Sequence, residues 1–281
     1  MKDLEQRMFR HCRALQEIQL PEGLRSIGES AFYGCSSLKK IQLPERLVLI
    51  GKMAFYRSGL REVRIPSGTE QVGSLAFAKS GLQKAWIQGG RETGRHYGAD
   101  VFGGCARLKM LTLGEGVRHI PDRLAYGCAA LERVVLPATL ETVGRHAMEG
   151  TAFLDHWRQR VSAEGARPEN ILWDGRHLAG EVRIAERLQM IAGGAFYGNT
   201  RITAIELPPQ VRSIGAAAFK GCSGLRRVWM PPDVTCLEEE VFSGCVALFT
   251  DVAGCVRSVW NRRRSLAGKR CPVALRSCHV Q

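Results

Sequence analysis

Cysteine and histidine are the residues of this sequence with the widest chemical range, and the chain holds ten of the first and seven of the second. Thiolate and imidazole groups bind zinc, and an activated thiolate is a nucleophile. Zinc sites typically have ligands a few residues apart, as in C-x-x-C, and the sequence has no such motif. Six cysteines instead recur at a spacing of 23 positions in the sequence: Cys12 and Cys35, Cys105 and Cys128, Cys222 and Cys245. This spacing favours buried thiols that pack as small apolar side chains over a metal site.

The sequence motifs of the common enzyme classes are missing. No H-E-x-x-H, G-x-S-x-G, G-x-x-x-x-G-K-[ST] or G-x-G-x-x-G occurs, and the histidines are scattered. The run Glu238–Glu240 falls between a strand pattern and a phenylalanine, where a solvated turn is far commoner than a catalytic carboxylate group. We therefore expect no enzymatic activity, no cofactor and no metal ion.

The composition excludes wholesale disorder and membrane-spanning segments. The chain has 281 residues, of which 45% are hydrophobic and 24% charged, close to the average for globular proteins. No apolar stretch approaches the ~18 residues that span a membrane, and the opening residues, MKDLEQRMFRHC, lack the apolar core of a secretory signal. We expect a cytoplasmic protein if the chain is complete as written, and a secreted or cell-surface protein if it is a fragment of a longer one.

The positive charge of the chain is concentrated at its end. The net charge is +13, and residues 249–281 hold seven basic residues and one acidic residue. Arg262, Arg263 and Arg264 follow Trp260 there, a composition that suits nucleic acid or an anionic membrane surface. A solvated basic end is the alternative. The same tail offers a redox pair or metal site, or else incidental thiols, at Cys255, Cys271, Cys278 and His279.

A repeat of 22–23 residues runs through most of the sequence, with the frame L-x-x-I-x-L-P-x-x-L-x-x-I-G-x-x-A-F-x-x-C-x-x. The copy LQEIQLPEGLRSIGESAFYGCSS begins at Leu15, and LRRVWMPPDVTCLEEEVFSGCVA begins at Leu225. Eight of the ten phenylalanines share one frame position: Phe9, Phe32, Phe55, Phe77, Phe102, Phe196, Phe219 and Phe242. Tyr126 and Met148 continue this phenylalanine column across its gap. The regularity predicts nine strand-bearing repeats, which start near residues 15, 38, 60, 82, 108, 131, 179, 202 and 225.

Each repeat has the pattern of one coil of a solenoid. L-x-x-I-x-L alternates apolar and polar residues, as in a strand with one buried face, and the proline after it ends the strand. L-x-x-I-G predicts a second short strand, whose glycine suits a turn with positive φ, and A-F-x-x-C-x-x-L predicts a single helical turn. Stacked coils lie ~4.8 Å apart, so disulfides between coils are the alternative to free thiols, although parallel side-chain directions disfavour them.

The sequence thus predicts a β-rich (α/β) solenoid of about nine repeats. We divide it into a first stack of repeats at 1–148, which starts inside a repeat, an insertion at 149–181, a second stack at 182–248 and the basic tail at 249–281. Within the insertion, ENILWDGRHLAGEVRI predicts a β-hairpin with Asp174–Gly175 at its turn.

The repeat frame resembles that of the BspA-like leucine-rich repeat family of bacterial and some protozoal proteins. The resemblance covers about residues 4–148 and 182–248, where L-P takes the place of the asparagine ladder of commoner leucine-rich repeats. It implies a curved, right-handed superhelix with a parallel β-sheet on one face, interrupted by an inserted strand pair. It also implies a binding role, often adhesion of a surface protein to host matrix or to other cells. The repeats specify a scaffold and not a partner.

The outward-facing strand positions are the candidate binding surface. We expect two columns of side chains to line the exposed face of the sheet, which solenoids use to bind partners. The candidate residues are Arg64, Lys84, Trp86, Met110, Thr112, Arg133, Val135, Arg183, Arg227 and Trp229. Aromatic, methionine and arginine side chains together are typical of an interface centre. The alternative is edge packing, with Trp86 against the glycine-rich segment after it, Val135 against the insertion and Trp229 against the tail.

These observations favour a non-enzymatic interaction module that recognises a protein or a glycan through the exposed face of the sheet. The resemblance implies that the recognition serves cell adhesion. The alternative is a cytoplasmic scaffold or nucleic-acid-associated protein that uses the basic tail.

Overall fold

Two compact units make up the structure, a computed structural model that describes residues 2–90, 96–162, 171–184, 186 and 188–248. The first unit comprises the described residues up to 141 together with 146–162. The second unit comprises 142–145 and the described residues from 171 onward.

Short strands provide most of the regular structure, as the alternating pattern of the repeat predicts. The first unit contains β1 Asp3–Leu4, β2 Ser26–Ile27, β3 Leu49–Ile50, β4 Glu62–Ile65, β5 Gln71–Val72, β6 Lys84–Ile87, β7 His96–Tyr97, β8 Met110–Leu113, β9 His119–Ile120, β10 Arg133–Val135 and the helix α1 Ala152–Ser162. The second unit contains β11 Thr142–Val143, β12 Ile171–Leu172, β13 Gly180–Arg183, β14 Met190–Ile191, β15 Ile202–Glu206, β16 Ser213–Ile214, β17 Arg227–Trp229 and β18 Cys236–Leu237.

Each unit has two parallel ladders, which we call the face ladder and the back ladder. In the first unit, the face ladder has the order β4-β6-β8-β10 and the back ladder β1-β2-β3-β5-β7. In the second unit, the face ladder has the order β13-β15-β17 and the back ladder β12-β14-β16-β18. Pairing keeps equivalent repeat positions in register, for example Val63 with Ala85 and Ile205 with Val228. The predicted solenoid of about nine coils, with a parallel sheet on one face, is confirmed.

Stacked phenylalanine rings form the core of each unit. Phe32, Phe55 and Phe77 are fully buried. The ring centroids of Phe32 and Phe55 lie 5.1 Å apart and those of Phe55 and Phe77 lie 5.0 Å apart, with nearly parallel planes. In the second unit, Phe196 and Phe219 stack at 4.7 Å. Full burial of a phenylalanine is worth ~1.5–3 kcal/mol, so one ring per coil makes a large contribution to the stacking of coils.

The prediction that Tyr126 belongs to the phenylalanine column is wrong. The backbone N–H at the phenylalanine position of one coil donates to the next coil, where the accepting carbonyl belongs to the residue directly before the phenylalanine position. The backbone N–H of Phe102 donates to the carbonyl of Leu124 at 2.9 Å. Ala125 therefore occupies that position and is fully buried, whereas Tyr126 is 36% exposed. The frame places the phenylalanine three residues before the cysteine, and counting back from Cys128 gives Ala125. The prediction chose Tyr126 because it is aromatic, although its spacing from Cys128 is one residue too short for the phenylalanine position.

The glycine of the I-G dipeptide is required by close backbone approach and not by its φ angle. A Cβ on Gly51 would lie 2.5 Å from the backbone N of Glu29 in the preceding coil, and a Cβ on Gly73 would lie 2.4 Å from that of Lys52. Neither glycine has a positive φ, so that prediction is wrong. Positive φ falls instead on the residue before the cysteine position, such as Gly34 at 71°.

The insertion contains a helix in place of the predicted hairpin. The Oγ1 of Thr151 accepts a hydrogen bond from the backbone N–H of Leu154 at 3.2 Å and so caps the start of α1. β12 pairs in parallel with β14, and β13 pairs in parallel with β15, so the two expected hairpin strands lie in different ladders. The hairpin prediction is wrong, because this segment forms a shortened coil. α1 has 11 residues, and in the part of the chain that the structure describes no helix is long and apolar enough to cross a membrane.

Two of the nine predicted repeats lack a regular strand in the face ladder. The segments at 15–20 and 38–43 have the strand pattern, but the structure has seven strands in the two face ladders, from β4 onward. Ile18 and Leu20 are only half-buried. Less apolar burial leaves less free energy to hold a regular strand in the first segment. Leu38 and Leu43 of the second segment are buried, so burial does not explain its missing strand.

Candidate interaction face

The face ladder of the first unit displays both predicted columns of side chains. Parallel pairing aligns one column as Arg64, Trp86, Thr112 and Val135. It aligns the other column as Glu62, Lys84, Met110 and Arg133. The residues between them, such as Val63 and Ala85, are buried, because successive side chains of a strand point to opposite faces. The alternation in the sequence therefore identifies the outward positions in this unit.

Trp86 is the largest side chain of this face. The guanidinium of Arg64 lies 4.3 Å from the Trp86 ring centroid, and Trp86 is half-buried. The Nζ of Lys84 lies 3.7 Å from Glu62 Oε1. Exposed ion pairs and cation–π contacts are worth ~1 kcal/mol or less. These contacts therefore orient the side chains more than they stabilise the fold.

The face ladder of the second unit carries two arginines, two glutamates and a tryptophan. The Nη2 of Arg227 donates to Glu181 Oε1 at 2.7 Å, and the Nε of Arg183 lies 3.0 Å from Glu206 Oε2. The guanidinium of Arg227 also lies 5.3 Å from the ring centroid of Trp229. Arginine and tryptophan are thus in contact on this face, as they are in the first unit.

All ten candidate residues lie at outward positions, seven in the first unit and three in the second. Val135 is 39% exposed and Trp229 is 50% exposed. Part of the glycine-rich segment at 89–100, which is the alternative packing partner of Trp86, lies outside the described residues, namely 91–95. So does the tail at 249–281, with its three cysteines and His279, and with Arg262, Arg263 and Arg264. The role of the ten residues in binding stays a prediction.

The cysteine column has a structural role that its spacing alone did not show. The Sγ of Cys35 donates to the carbonyl of Phe9 at 3.0 Å, and that of Cys128 donates to Phe102 at 3.0 Å. Three other cysteines repeat this contact with the preceding coil at 3.0–3.1 Å: Cys105, Cys222 and Cys245. Coils without a cysteine have another hydrogen-bonding side chain at the position: Ser58, Ser80, Thr151 and Asn199. The donor is not used in every coil, because the Oγ of Ser58 is buried without a hydrogen-bond partner in the described part of the chain.

Burial makes the Cys35 thiol a poor nucleophile. The described cysteines are free. Burial, with a smaller contribution from nearby Cys12, raises the pKa of Cys35 to about 11. A protonated thiol neither attacks electrophiles nor binds metal well. Across the described residues, no three cysteine, histidine or acidic side chains come close enough together to hold a metal ion.

Sequence reasoning missed two features of the surface. The first is the pair of acidic partners on the second face ladder, Glu181 and Glu206, which hold the arginines. The second is a stacked tyrosine pair on the turns of the first unit, Tyr33 and Tyr56, whose centroids lie 5.1 Å apart. The sequence contains a signal for the tyrosines, because A-F-Y recurs in two consecutive repeats.

A family model of the BspA type leucine rich repeat region matches residues 2–97, 91–158 and 177–252 of this chain, in six copies. The chain belongs to this BspA-type family. Repeats of this kind generally serve as interaction modules, and enzymatic activity is not typical of them. The family match agrees with the frame read from the sequence and with the parallel ladders of both units.

Solved structures of three bacterial leucine-rich repeat proteins are similar to this BspA-type chain. A protein from Bacteroides ovatus is 23% identical, with a TM-score of 0.48, and the match covers 88% of this chain and 63% of the Bacteroides ovatus chain. A protein from Eubacterium ventriosum is 16% identical with a TM-score of 0.40, covering 88% and 68%. A leucine rich cell surface protein from Faecalibacterium prausnitzii is 22% identical with a TM-score of 0.37, covering 88% and 69%. This chain thus spans less than two thirds of the Bacteroides ovatus protein. No curated protein matches it.

Proposed function

We propose that this chain is a non-enzymatic interaction module that binds a protein partner through the exposed surface of its face ladders. The observation that carries the proposal is the exposure of Trp229, which leaves half of its surface in contact with water. Burying an exposed tryptophan at an interface gains ~25 cal/mol for each Å² of apolar surface removed from water. Tryptophan is also among the residues that dominate binding energy in measured interfaces.

The side chains around each tryptophan support the same proposal. The guanidinium of Arg64 covers Trp86, and that of Arg227 contacts both Trp229 and Glu181. Side chains that are already ordered lose less conformational entropy when a partner binds. Both face ladders therefore present partly ordered arginine–tryptophan pairs, which suit a specific interface.

A protein partner fits the first face ladder better than a glycan does. Met110 and Val135 lie in the strands that follow Trp86 and add apolar surface to it. A sugar could stack its C–H face on Trp86, but its hydroxyls would make no hydrogen bonds with Met110 and Val135, whereas apolar side chains of a protein would bury all three. Adhesion to another cell or to an extracellular matrix is the finer proposal, and it rests on the family alone.

The test replaces both tryptophans and compares the result with a matched aromatic control. Proteins captured by the wild-type chain are purified, and each is titrated against W86A/W229A and against Y126A/Y197A. The control removes two exposed aromatic side chains, one in each unit, that lie on turns and not on the face ladders. We expect at least about a tenfold loss of affinity for W86A/W229A, because hot-spot truncations cost ~2 kcal/mol or more.

A third variant, which ends at Leu248, separates this proposal from the alternative that the basic tail binds the partner. Full affinity in that variant is the expected result. Unchanged affinity in W86A/W229A, with loss of affinity when the tail is removed, would overturn the proposal in favour of a tail-binding partner such as nucleic acid. Binding of purified glycans alone, at the same face, would overturn the protein assignment.

A further inference from the structure

The turns of the first unit contain three basic residues in a backbone conformation that favours glycine. In ten turns of the described coils, the residue before the cysteine position has a positive φ. Seven of these residues are glycine: Gly34, Gly104, Gly127, Gly150, Gly198, Gly221 and Gly244. The other three are His11, Arg57 and Lys79, with φ of 61°, 54° and 54°. A residue with a Cβ is disfavoured in this conformation. Nine other non-glycine residues of the described coils also have a positive φ, each two residues before the phenylalanine position, so the three basic residues are distinguished by their charge and not by strain alone.

The three basic residues gather around the stacked tyrosines. The ring of His11 meets Tyr33 edge-on at a centroid distance of 5.1 Å. The guanidinium of Arg57 lies 5.6 Å from the centroid of Tyr56, and the ammonium of Lys79 lies 6.0 Å from it. The guanidinium of Arg10 lies 5.1 Å from the centroid of Tyr33. We call this surface the basic-tyrosine patch: Arg10, His11, Tyr33, Tyr56, Arg57 and Lys79.

Glycines in the next coil leave room for two of these side chains. A Cβ on Gly34 would lie 2.7 Å from Nδ1 of His11, and a Cβ on Gly104 would lie 3.3 Å from Cγ of Lys79. Both basic side chains therefore lie against a glycine of the following turn.

The cations of the patch have no carboxylate partner among the described residues. Arg10, Arg57 and Lys79 lie near rings. Arg123, on an equivalent turn of the same unit, also lies 4.0 Å from the ring centroid of Tyr126, but its Nε donates to both carboxylate oxygens of Asp100 at 2.9 and 3.0 Å. The four turn segments at 5–13, 29–36, 52–59 and 74–81 together contain six lysines and arginines and only two glutamates. The local field is therefore positive and is not neutralised from within the unit.

We propose that the basic-tyrosine patch binds an acidic polypeptide segment of a partner protein. Arginine and lysine form their strongest hydrogen bonds with carboxylates. Arg10, Arg57 and Lys79 lie on the first, third and fourth coils, and coils are ~4.8 Å apart. The three cations thus spread over ~14 Å, a length that an extended segment of about four to five residues spans, so one segment can present carboxylates to all of them. The patch lies on turns and not on the face ladder, so it adds a second surface to the proposed function.

Two other partners fit the patch less well. Single-stranded nucleic acid binds by stacking bases on free aromatic faces, but Tyr33 and Tyr56 stack on each other and have cations near their rings. A second copy of this chain would bring together two surfaces of the same charge, on a protein whose net charge is already +13.

The test uses a fluorescein-labelled peptide of twelve glutamates and the full-length protein at low ionic strength. R57G/K79G removes two cations and gives both turns the residue their φ angles favour, so loss of binding in this variant is not caused by unfolding. R61Q/K109Q removes the same charge from exposed positions elsewhere in the first unit. We expect fluorescence anisotropy to show about tenfold weaker binding for R57G/K79G and less than about twofold for R61Q/K109Q, with a thermal midpoint for R57G/K79G at or above that of the wild type.

Three results would overturn the proposal. The first is no binding of the peptide to the wild-type protein, and the second is an equal loss in both variants, which would indicate attraction to net charge alone. The third is patch-dependent binding of a heparin oligosaccharide or of oligo(dT) without binding of the glutamate peptide, which would assign a different class of partner. W86A/W229A is expected to bind the peptide as the wild type does, so failure here is distinguishable from failure of the proposed function.

Discussion

Gly175 lies directly against the ring of Phe196 in the second unit: a Cβ on Gly175 would be 2.2 Å from Phe196 Cε1. The backbone N–H of Gly175 donates to the carbonyl of Ala195 at 2.7 Å. A phenylalanine makes this bond in the complete coils, for example from Phe32 to the carbonyl of Ala54. Gly175 therefore holds the phenylalanine position of the shortened coil, and its backbone covers the ring of Phe196.

Replacement of Gly175 by alanine is expected to destabilise the second unit. Phe196 is fully buried and has no room to move away from an added methyl group, so the overpacking should lower the free energy of unfolding by about 1–3 kcal/mol. Gly23→Ala is the control, because no atom lies within 4 Å of a Cβ there. Urea denaturation measures both variants, and equal stabilities would show that Phe196 does not depend on the glycine.

Truncation within the phenylalanine column should have an effect that depends on position. Phe55 is fully buried between Phe32 and Phe77, so Phe55→Ala should cost about 3–5 kcal/mol. Phe9 is half-buried and stacks on Phe32, so Phe9→Ala should cost clearly less. Urea denaturation compares the two variants, and similar losses at both positions would contradict a core built from stacked rings.

The hydrogen bond of the cysteine column is isolated by a pair of substitutions at Cys128. Serine and alanine both remove the bulk of the sulfur, but only serine keeps a donor for the carbonyl of Phe102. Cys128→Ser should therefore be about 1 kcal/mol more stable than Cys128→Ala. Ser80, which lies at the same position of another coil, indicates that the turn accommodates a hydroxyl. If the alanine variant is as stable as the serine variant, the column is filled for volume alone.

The reactivity of Cys35 should change at high pH. Burial and nearby Cys12 raise its pKa from 9.0 to about 11, so iodoacetamide at pH 8 should modify exposed Cys12 and leave Cys35 unmodified by mass spectrometry. The unfolded state loses the thiol proton at lower pH than the folded state does, so this stabilisation is complete below pH 9 and is lost as the pH rises towards 11. Unfolding measured from pH 8 to 11 should show a steeper loss for the wild type than for Cys35→Ser. Early modification of Cys35 would contradict its burial.

The repeat, the parallel face and its outward positions could be predicted from the sequence. Each depends on a short pattern of apolar and polar residues that recurs in every coil. Arg64 and Trp86, for example, pair where the alternation places them. The prediction failed where a contact with another coil decides the structure. Asp174–Gly175 is a strong local signal for a hairpin turn, but Gly175 is placed by its hydrogen bond to the next coil.

The candidate surface was predicted in part for the same reason. Side-chain type and alternation identified Trp229 and Arg227, but not the ion pair of Arg227 with Glu181, which spans two coils. The basic-tyrosine patch depends on the left-handed backbone of Arg57 and Lys79. The repeat frame leaves that position unspecified, and only the structure shows that it has a positive φ in the turns with glycine and in those with Arg57 and Lys79 alike.

The most direct measurement for the proposed function is hydroxyl-radical footprinting of the protein with and without a purified partner. Trp86 and Trp229 report on the two face ladders, while Tyr126 and Tyr197 report on turns of the same molecule. The account predicts that oxidation of Trp229, which is half exposed in the free protein, falls several-fold in the complex while both tyrosines react as before. Unchanged oxidation of both tryptophans in a saturated complex would contradict it.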